Sequence, residues 1–296
     1  MSNLITIDCL PTTGHATPTP KLAFNQSTFK SRSGLGLIHL NIRSLARKMD
    51  HVKALVVQSQ PDVLALSESW LTRGIDDSDI AIPGFNTFRI DRVKKGGGVV
   101  VYTRSALSVS VLEMVSKPKC FELLALKIHQ GPSSFNLVCV YRPPSAESEA
   151  IALLANLLAR YSDTELLVVG DLNLNWLGKS SERLKEISAS LNLTQFISEP
   201  TRPNPKDHSK GSLIDLLFSN RADRIVASGV FELGISDHCP IACVRLCKIP
   251  RSQPRIVTKR NLKHFDEHAF LDELSNSNLH SISEFSDPSE ALHEYS

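Results

Sequence analysis

Short apolar runs that end on a carboxylate, an amide or a histidine recur along this chain and constrain its fold more than any other feature. In the clearest one, four apolar residues from Leu166 lead into Gly170, and Asp171 and Asn173 follow. Such a run predicts a strand buried on both faces. Asp171 and Asn173 are two positions apart, so in extended chain their side chains point to the same side. Polar groups placed there are costly unless they are used, so we predict a functional site at this strand end.

The order of helical and strand-like patterns predicts the fold class. Helical patterns occupy 44–60 (with Ser44 as N-cap), 147–161 and 181–191. Strand-like runs occupy 36–41, 63–68, five segments between 85 and 141, 166–171, and further segments between 213 and 246. Strands are first mixed with helices, then follow one another as a meander, then are mixed with helices again. This order predicts an α/β fold, a four-layer sandwich of two packed mixed β-sheets flanked by helices.

Changes in composition divide the chain into three segments. Residues 1–33 carry Pro, Thr, Ser and Gly without periodicity, which predicts a disordered leader. Residues 34–247 contain all the strand patterns, and a hydrophobic content of 42% suffices for one large domain with a sizeable core. Residues 248–296 are first basic and then acidic, which predicts a linker or tail.

The chain carries no signal that points to a membrane or to secretion. It has no run of 18 apolar residues, and its first residues lack a charged and then apolar signal. We therefore expect an intracellular protein with no membrane partner. The net charge of +2 means that a nucleic-acid surface would have to be a local patch.

The six cysteines do not form a zinc-binding pattern. Cys239, Cys243 and Cys247 are spaced at i, i+4 and i+8, but they lie in an apolar strand-like run and lack Cys-x2-Cys spacing. We therefore predict buried free thiols in a reducing compartment.

Seven polar residues interrupt or end the apolar strands, and together they favour a hard cation. They are Asn41, Glu68, Asp171, Asn173, Asp215, Asp237 and His238. Carboxylate and amide oxygens suit Mg²⁺. The adjacent Asp237 and His238 offer an acid–base group beside a carboxylate. A cation, carboxylates and a histidine fit the attack of water on a phosphodiester or a phosphomonoester.

Six blocks of this sequence resemble the signature blocks of the endonuclease/exonuclease/phosphatase superfamily, in the family's order. They are Leu40-Asn41-Ile-Arg-Ser-Leu, Leu66-Ser-Glu68-Ser-Trp-Leu, Val140-Tyr141-Arg-Pro-Pro, Gly170-Asp171-Leu-Asn173, Leu213-Ile-Asp215-Leu and Ser236-Asp237-His238. Three further short segments resemble the endonuclease domain of non-LTR (LINE-type) retrotransposons. They are Ile82-Pro-Gly-Phe85, Glu199-Pro-Thr-Arg202 and Gly234-Ile-Ser-Asp-His238.

The resemblance to retrotransposon endonucleases implies a Mg²⁺-dependent enzyme, with Mn²⁺ as an expected substitute. It implies that the enzyme nicks one DNA strand and leaves a 3′ hydroxyl as the primer for target-primed reverse transcription. In that family a reverse transcriptase normally follows, so the chain resembles a fragment of a longer protein truncated in the linker. The substrate would be DNA and the place of action the nucleus.

The resemblance also implies roles for individual residues. Glu68 would be the main metal ligand, with Asn41 beside it and Asp237 behind or near the metal. Asp171 would orient or deprotonate the attacking water, and Asn173 would contact the phosphate.

Five further positions carry roles in the same resemblance. His238 would contact the scissile phosphate and stabilise charge in the transition state, while Tyr141 would support the network. Asp215 would pair with the histidine, as in some relatives, or orient the phosphate, as in others. Ser236 and Thr201 correspond to polar positions that hydrogen-bond inside the site in retrotransposon members.

Basic residues define a candidate DNA-facing surface. Arg202 and Arg142 are candidates for substrate binding. The full candidate surface comprises Arg43, Lys48, Arg92, Lys94, Lys95 and Arg142. Two other functions remain open at this stage: a phosphatase of the same superfamily, and a decayed or domesticated copy that only binds nucleic acid.

Overall fold

The computed structural model describes residues 25–92, 96–130, 133–204, 207–246 and 265–277. The first part of the chain forms α1 (Gln26–Lys30), β1 (Leu35–Asn41), α2 (Met49–Ser59), β2 (Val63–Ser67), β3 (Phe85–Ile90), β4 (Val99–Arg104), β5 (Ser108–Lys117), β6 (Phe121–Gln130) and β7 (Ser133–Tyr141). The rest forms α3 (Ala150–Ala159), β8 (Leu166–Asp171), α4 (Glu182–Ser190), β9 (Thr194–Gln195), β10 (Arg202–Asn204), β11 (Asp207–Ser212), β12 (Asp215–Ser219), β13 (Ile225–Val230), β14 (Ile241–Arg245) and α5 (Glu267–Asn276). Short 3₁₀ turns occupy Ala46–Lys48, Lys179–Ser181 and Ala222–Arg224.

Most of the strands build two six-stranded mixed sheets. The first sheet has the order β13-β14-β1-β2-β4-β3, and the second has the order β5-β6-β7-β8-β12-β9. Each sheet has one parallel pair, β1 with β2 and β7 with β8, and the other pairings are antiparallel. The helix between the strands of each parallel pair, α2 or α3, provides the crossover that parallel strands need. The fold class predicted from the sequence, two packed mixed sheets flanked by helices, is confirmed.

Strand β1 is buried on both faces and shows how the core is divided. Leu35 and Leu37 belong to a cluster that joins the inner faces of the two sheets. Ile38 and Leu40 belong to a second cluster that includes the buried side of α2. Because successive side chains of a strand alternate between its faces, the residues with the parity of Leu37 face the second sheet.

The segment just before β1 belongs to the folded unit, which corrects the predicted leader. Phe29 on α1 is fully buried, and its ring meets that of Phe231 edge to face, with 5.7 Å between centroids. Arg32 donates to the buried Asp62 at 2.7 Å. The leader boundary at residue 33 is therefore wrong for residues 25–33, while residues 1–24 lie outside the described part of the chain. A helix of five residues is too short to show a periodic pattern.

The first long helix begins later than predicted. Ser44 has a φ of 81° and its backbone N–H donates to the carbonyl of Glu68, so it is not an N-cap. A 3₁₀ turn over Ala46–Lys48 precedes α2, which begins at Met49. The loop from β1 is thus tied to the end of β2 before the helix starts.

Replacing Arg32 with alanine tests the correction of the leader. Asp62 accepts from Arg32 and from the backbone N–H of Gly36 at 2.8 Å, and Arg104 lies 3.0 Å away. Loss of Arg32 removes one of these partners from a buried carboxylate, so we expect the free energy of unfolding to fall by about 1–3 kcal/mol. Urea titration measures it, with the exposed Arg47→Ala as the control. Equal midpoints for the two variants would mean that the contact between Arg32 and Asp62 contributes no stability.

The chain divides into two units, one ending at Pro250 and one covering Arg251–Ser296. In the second unit the structure describes α5, whose N-cap Asp266 accepts from the backbone N–H groups of His268 and Ala269. Most of the predicted linker lies outside the described residues. No helix within the described ranges is long and apolar enough to cross a membrane.

The described cysteines include buried free thiols at Cys120, Cys139 and Cys243, while Cys239 is half-buried. Burial raises the pKa of the Cys243 thiol to about 12. Burial likewise raises the pKa of Cys139, and all three buried side chains contribute to the packing of the core.

Candidate active site

The register of the second sheet brings three predicted site residues side by side. Tyr141 at the end of β7 is paired with Asp171 at the end of β8, and Asp171 is paired with Asp215 at the start of β12. In the first sheet, Asn41 ends β1 opposite Ser67, the residue before Glu68. Since the two sheets pack face to face, these strand ends form one site at a single edge of the sandwich.

Asn41 links the two sheets across this site. Its Nδ2 donates to Oε1 of Glu68 at 3.0 Å and to Oδ2 of Asp171 at 2.8 Å. Asn41 and Asp171 are fully buried, whereas the Glu68 side chain is 13% exposed. The predicted metal ligands Asn41 and Glu68 therefore lie together, beside the residue predicted to handle water.

Glu68 is held by two further side chains and by an unusual backbone. The hydroxyl of Tyr141 donates to Oε1 at 3.0 Å, and the indole Nε1 of Trp70 donates to Oε2 at 3.1 Å. Burial and the negative charge of Glu68 raise the pKa of Tyr141, so its hydroxyl remains a donor. Glu68 has a φ of 51°, a conformation rare outside glycine that is common at functional sites.

The carboxyl group of Asp171 has a strongly shifted pKa. Burial, followed by the negative charge of Asp215, raises the pKa of Asp171 to about 8. Its Oδ1 accepts from the backbone N–H of Asn173 at 2.8 Å, and its Oδ2 accepts from Asn173 Nδ2 at 3.2 Å. The predicted pair thus meets, although Asn173 lies beyond the strand with a φ of 49°.

Asp215 and His238 form a buried pair. Oδ2 of Asp215 lies 2.8 Å from Nδ1 of His238. Burial acts to lower the pKa of His238, but the hydrogen bond and charge of Asp215 outweigh it and raise the pKa above its usual value. Thr201 supports this pair from behind, since its Oγ1 accepts from the backbone N–H of Asp215 at 3.1 Å.

The oxygen donors around Glu68 fit a divalent cation. Oδ1 of Asn41 is buried and has no hydrogen-bond partner within the described residues, so an amide oxygen is free beside the Glu68 carboxylate. Asp171, Asp215 and His238 also bring ligand atoms within 4.8 Å of one another. In that group the Nδ1 of His238 is already engaged by Asp215, so we favour Glu68 and Asn41 as the holding pair.

Asp237, the third predicted metal ligand, lies in a different environment. Its Oδ2 is 2.6 Å from Nη1 of Arg43 and 3.2 Å from Nη2 of Arg202. Burial opposes its ionisation, but the charges of His238 and of these two arginines lower its pKa. Two guanidinium groups thus contact this carboxylate, and its role behind or near the metal stays a prediction. Ser236 donates to its other oxygen at 3.3 Å.

The structure brings only part of the predicted basic surface to the site. Arg43 and Arg202 are 41% and 44% exposed at its rim. Arg142 differs from the prediction, because it is 7% exposed and its guanidinium donates to the backbone carbonyls of Pro143, Leu172 and Ala146.

Four other predicted surface residues also have different surroundings or lie outside the described residues. Lys48 donates to the carbonyl of Ile42 at 2.7 Å, and Arg92 donates to the buried Glu122 at 2.6 Å. Lys94 and Lys95 lie outside the described residues.

Sequence reasoning missed one ionisable residue of the site. His39 on β1 is fully buried, with Nδ1 3.8 Å from Oδ1 of Asp215 and Nε2 3.2 Å from Oγ of Ser67. Burial lowers the pKa of His39 to about 4, although Asp215 opposes this. His39 could have been found from its position, because it lies two residues before Asn41 on one strand and its side chain therefore points to the same face.

Comparisons with known structures agree with this architecture. The chain is similar to a 3′ phosphatase, NExo, from Neisseria bound to a product DNA hairpin, with a TM-score of 0.59, 15% identity, and coverage of 72% of this chain and 100% of that one. It is similar to a mannosyl-6-phosphatase from Bacteroides thetaiotaomicron, with a TM-score of 0.57, 15% identity and coverage of 72% and 100%. It is also similar to the endonuclease domain of TRAS1, a telomere-specific non-LTR retrotransposon, with a TM-score of 0.56, 15% identity and coverage of 72% and 100%.

At such low identity these similarities show the fold alone. No curated protein sequence matches the chain significantly. The family model for the endonuclease/exonuclease/phosphatase family matches residues 38–238, which contain both sheet edges that form the site. The chain therefore belongs to the endonuclease/exonuclease/phosphatase family.

Proposed function

We propose that this protein is a Mg²⁺-dependent DNA endonuclease that nicks one strand and leaves a 3′ hydroxyl able to prime reverse transcription. The observation that carries the hydrolytic part is the buried link from Glu68 through Asn41 to Asp171, beside the Asp215–His238 pair. The choice of DNA as substrate and of a retrotransposon role rests on the sequence segments around these residues that resemble retrotransposon endonucleases. The similarity to the TRAS1 domain supports the same choice at the level of the fold.

The proposed reaction breaks the bond between phosphorus and the 3′ oxygen. In its ionised form, Asp171 orients a water molecule and accepts its proton while the water oxygen attacks phosphorus, and the phosphate stays on the 5′ end. His238 faces the phosphate with Nε2, because Nδ1 is turned to Asp215, and it stabilises the charge that develops on the phosphate oxygens. Asn173 holds Asp171 through two hydrogen bonds.

Glu68 and Asn41 would hold the cation, which when bound supplies charge neutralisation to the phosphate and the leaving 3′ oxygen. Tyr141 and Trp70 fix the Glu68 carboxylate from two sides. The rim residues Arg43 and Arg202 are the exposed cations nearest to Asp237, and they can release it to contact the DNA backbone.

A phosphatase acting on a small phosphate ester is the second candidate. The similarity to a mannosyl-6-phosphatase favours this function at the level of the fold. The sequence segments that resemble retrotransposon endonucleases argue against it. A protein that only binds nucleic acid is disfavoured by Glu68, Asp171 and Asp237, because these carboxylates repel the phosphate backbone. The nuclear location and the reverse transcriptase in a longer parent protein follow from the retrotransposon role.

Nicking of supercoiled plasmid tests the proposal. We expect the purified protein with Mg²⁺ to convert supercoiled DNA to open circles, and a DNA polymerase to extend the nicks without prior phosphatase treatment. Excess chelator should stop the reaction. His238→Ala should lower the rate by about 100-fold or more, since one group that stabilises transition-state charge is worth about 10²–10³-fold.

The exposed His51 on α2 provides a matched control, because His51→Ala also removes an imidazole but lies outside the site. Absence of nicking by the wild-type protein, or equal rates for the His238 and His51 variants, would contradict the proposal. Release of inorganic phosphate from sugar or inositol phosphates without DNA cleavage would favour the phosphatase.

A further inference from the structure

The carboxylate of Asp215 lies between two imidazoles. On one side, its Oδ2 is 2.8 Å from Nδ1 of His238. On the other side, its Oδ1 is 3.8 Å from Nδ1 of His39. The side chains of all three residues are at most 3% exposed.

The two facing atoms on the His39 side both lack a hydrogen bond. Nδ1 of His39 and Oδ1 of Asp215 are buried and without a partner among the described residues. A buried polar atom left in this state costs about 1–3 kcal/mol. A water bridging them would hold them about 4.5 Å apart or more, given hydrogen bonds of about 2.8 Å. The 3.8 Å gap therefore favours direct pairing after a movement of about 1 Å.

The position of His39 in the sheet fixes its imidazole. Strand β1 is central in the first sheet, and His39 is paired with Ile241 on one side and Ala65 on the other. The other ring nitrogen, Nε2, lies 3.2 Å from Oγ of Ser67. The imidazole is thus held at one end by a hydroxyl, and its other end faces the carboxylate of Asp215 3.8 Å away.

The charge of the carboxylate selects the tautomer of His39. If Nε2 carried the proton, the lone pair of Nδ1 would face Oδ1 of Asp215, and the two would repel each other. If Nδ1 carries the proton, it donates to Asp215, and Ser67 can donate its hydroxyl proton to Nε2. The hydrogen-bond network therefore places the proton of neutral His39 on Nδ1.

We propose that His39 is a positioning residue, which donates Nδ1–H to Oδ1 of Asp215 and so fixes the carboxylate that orients His238. The role rests on the proposed hydrolytic function, in which Nε2 of His238 faces the phosphate. Thr201 does not duplicate it, since its Oγ1 accepts from the backbone N–H groups of Ile214 and Asp215 and leaves the carboxylate free to rotate. The imidazole of His39 faces the second oxygen, Oδ1, at 3.8 Å.

Two amide substitutions separate the two ends of the imidazole. In His39→Asn the amide nitrogen takes the place of Nδ1 and can still donate to Asp215. In His39→Gln the amide lies near the place of Nε2 and can replace only the contact with Ser67. We expect kcat for phosphodiester cleavage to fall by about 10–100-fold in His39→Gln, as for loss of other outer partners of site residues, with KM nearly unchanged. His39→Asn should stay within about threefold of wild type.

Measurements of stability, and of the coupling between His39 and Asp215, test whether the role of His39 is purely structural. Thermal unfolding of both variants shows whether they fold, since a burial defect would affect the two alike. In an Asp215→Ala background, His39→Gln should cause no further loss of kcat, because the partner through which it acts is gone. Equal losses in His39→Asn and His39→Gln, or full additivity with Asp215→Ala, would overturn the proposal.

Nitrogen-15 NMR of the imidazoles at pH 7 provides a readout that needs no turnover. In the wild-type protein, the Nδ1 shift of His238 should report a protonated nitrogen bound to a carboxylate, and His39→Gln should move it while His39→Asn should not. Unchanged His238 shifts in His39→Gln would overturn the proposal. If the wild-type protein cuts no DNA, the endonuclease proposal fails, and the shifts still decide the role of His39.

Discussion

Replacement of Asp171 by asparagine is expected to lower the rate of DNA nicking by about 10²–10⁴-fold, the usual contribution of a positioned general base. Asparagine has the same shape, and its amide oxygen can still accept a hydrogen bond from Asn41 or Asn173. It cannot take a proton from water. Since Glu68 and Asn41 are unchanged, binding of the divalent cation should persist, and calorimetric titration with Mg²⁺ or Mn²⁺ measures this.

The same substitution should stabilise the metal-free protein as the pH rises. The ordinary pKa of Asp171 is 3.8, and in the folded protein it is raised to about 8. Between these values the unfolded chain is ionised and the folded chain is protonated, so the wild-type protein loses stability as the pH increases from about 4 to about 8. The asparagine side chain of the variant cannot ionise and escapes this loss. In chelator, the variant should therefore melt above the wild-type protein at pH 8 and show little or no such advantage near pH 4.

The exposed Asp163→Asn is the matched control, because it removes a carboxylate outside the site. It should leave the nicking rate unchanged. If Asp171→Asn nicks DNA at the wild-type rate, another carboxylate handles the water. If its melting temperature follows the wild-type curve at every pH, the raised pKa does not exist.

Gly170→Ala is expected to be among the most destabilising single substitutions in the chain. Gly170 lies in β8 beside Val140 of β7, and a Cβ at this position would overlap the carbonyl oxygen of Val140. That atom is backbone within a sheet and cannot rotate away, so β7 and β8 would have to separate. We expect a loss of about 3–5 kcal/mol, which belongs to the large effects that require a specific steric cause.

Gly74→Ala provides the matched control, since nothing lies within 4 Å of a Cβ at that position. Urea unfolding of both variants gives the comparison. A Gly170→Ala protein as stable as Gly74→Ala would mean that the two strands are not as close as the register requires. Because Gly170 precedes Asp171, a folded Gly170→Ala protein should also show impaired cleavage.

The strand-end residues could be predicted because a polar residue at the end of an apolar run is easily recognised in a sequence. Asn41, Glu68, Asp171 and Asp215 each stand out from an apolar run, and the structure places all four in one site. The pattern does not show which partner satisfies each group. The tie between Asn41 and Asp171, 130 positions apart, depends on how the two sheets face each other, which no local periodicity encodes.

The errors have physical causes of the same kind. Arg142 has the composition of a surface residue, but its guanidinium is surrounded by backbone carbonyls that only the folded chain brings together. Glu68 and Asn173 adopt positive φ values that tertiary contacts impose. In each case the deciding contact is long-range.

The pairing of β1 with β14 determines when the first sheet can be completed during synthesis. Leu35 is paired with Arg245, and Ile241 of β14 lies beside His39. The central strand of the first sheet therefore lacks one neighbour until almost the whole domain has left the ribosome, and His238 is translated only just before that neighbour. Such distant pairings form late in folding. A nascent chain consequently lacks a complete first sheet, and with it the complete sheet edge that carries the site, until its synthesis is nearly finished.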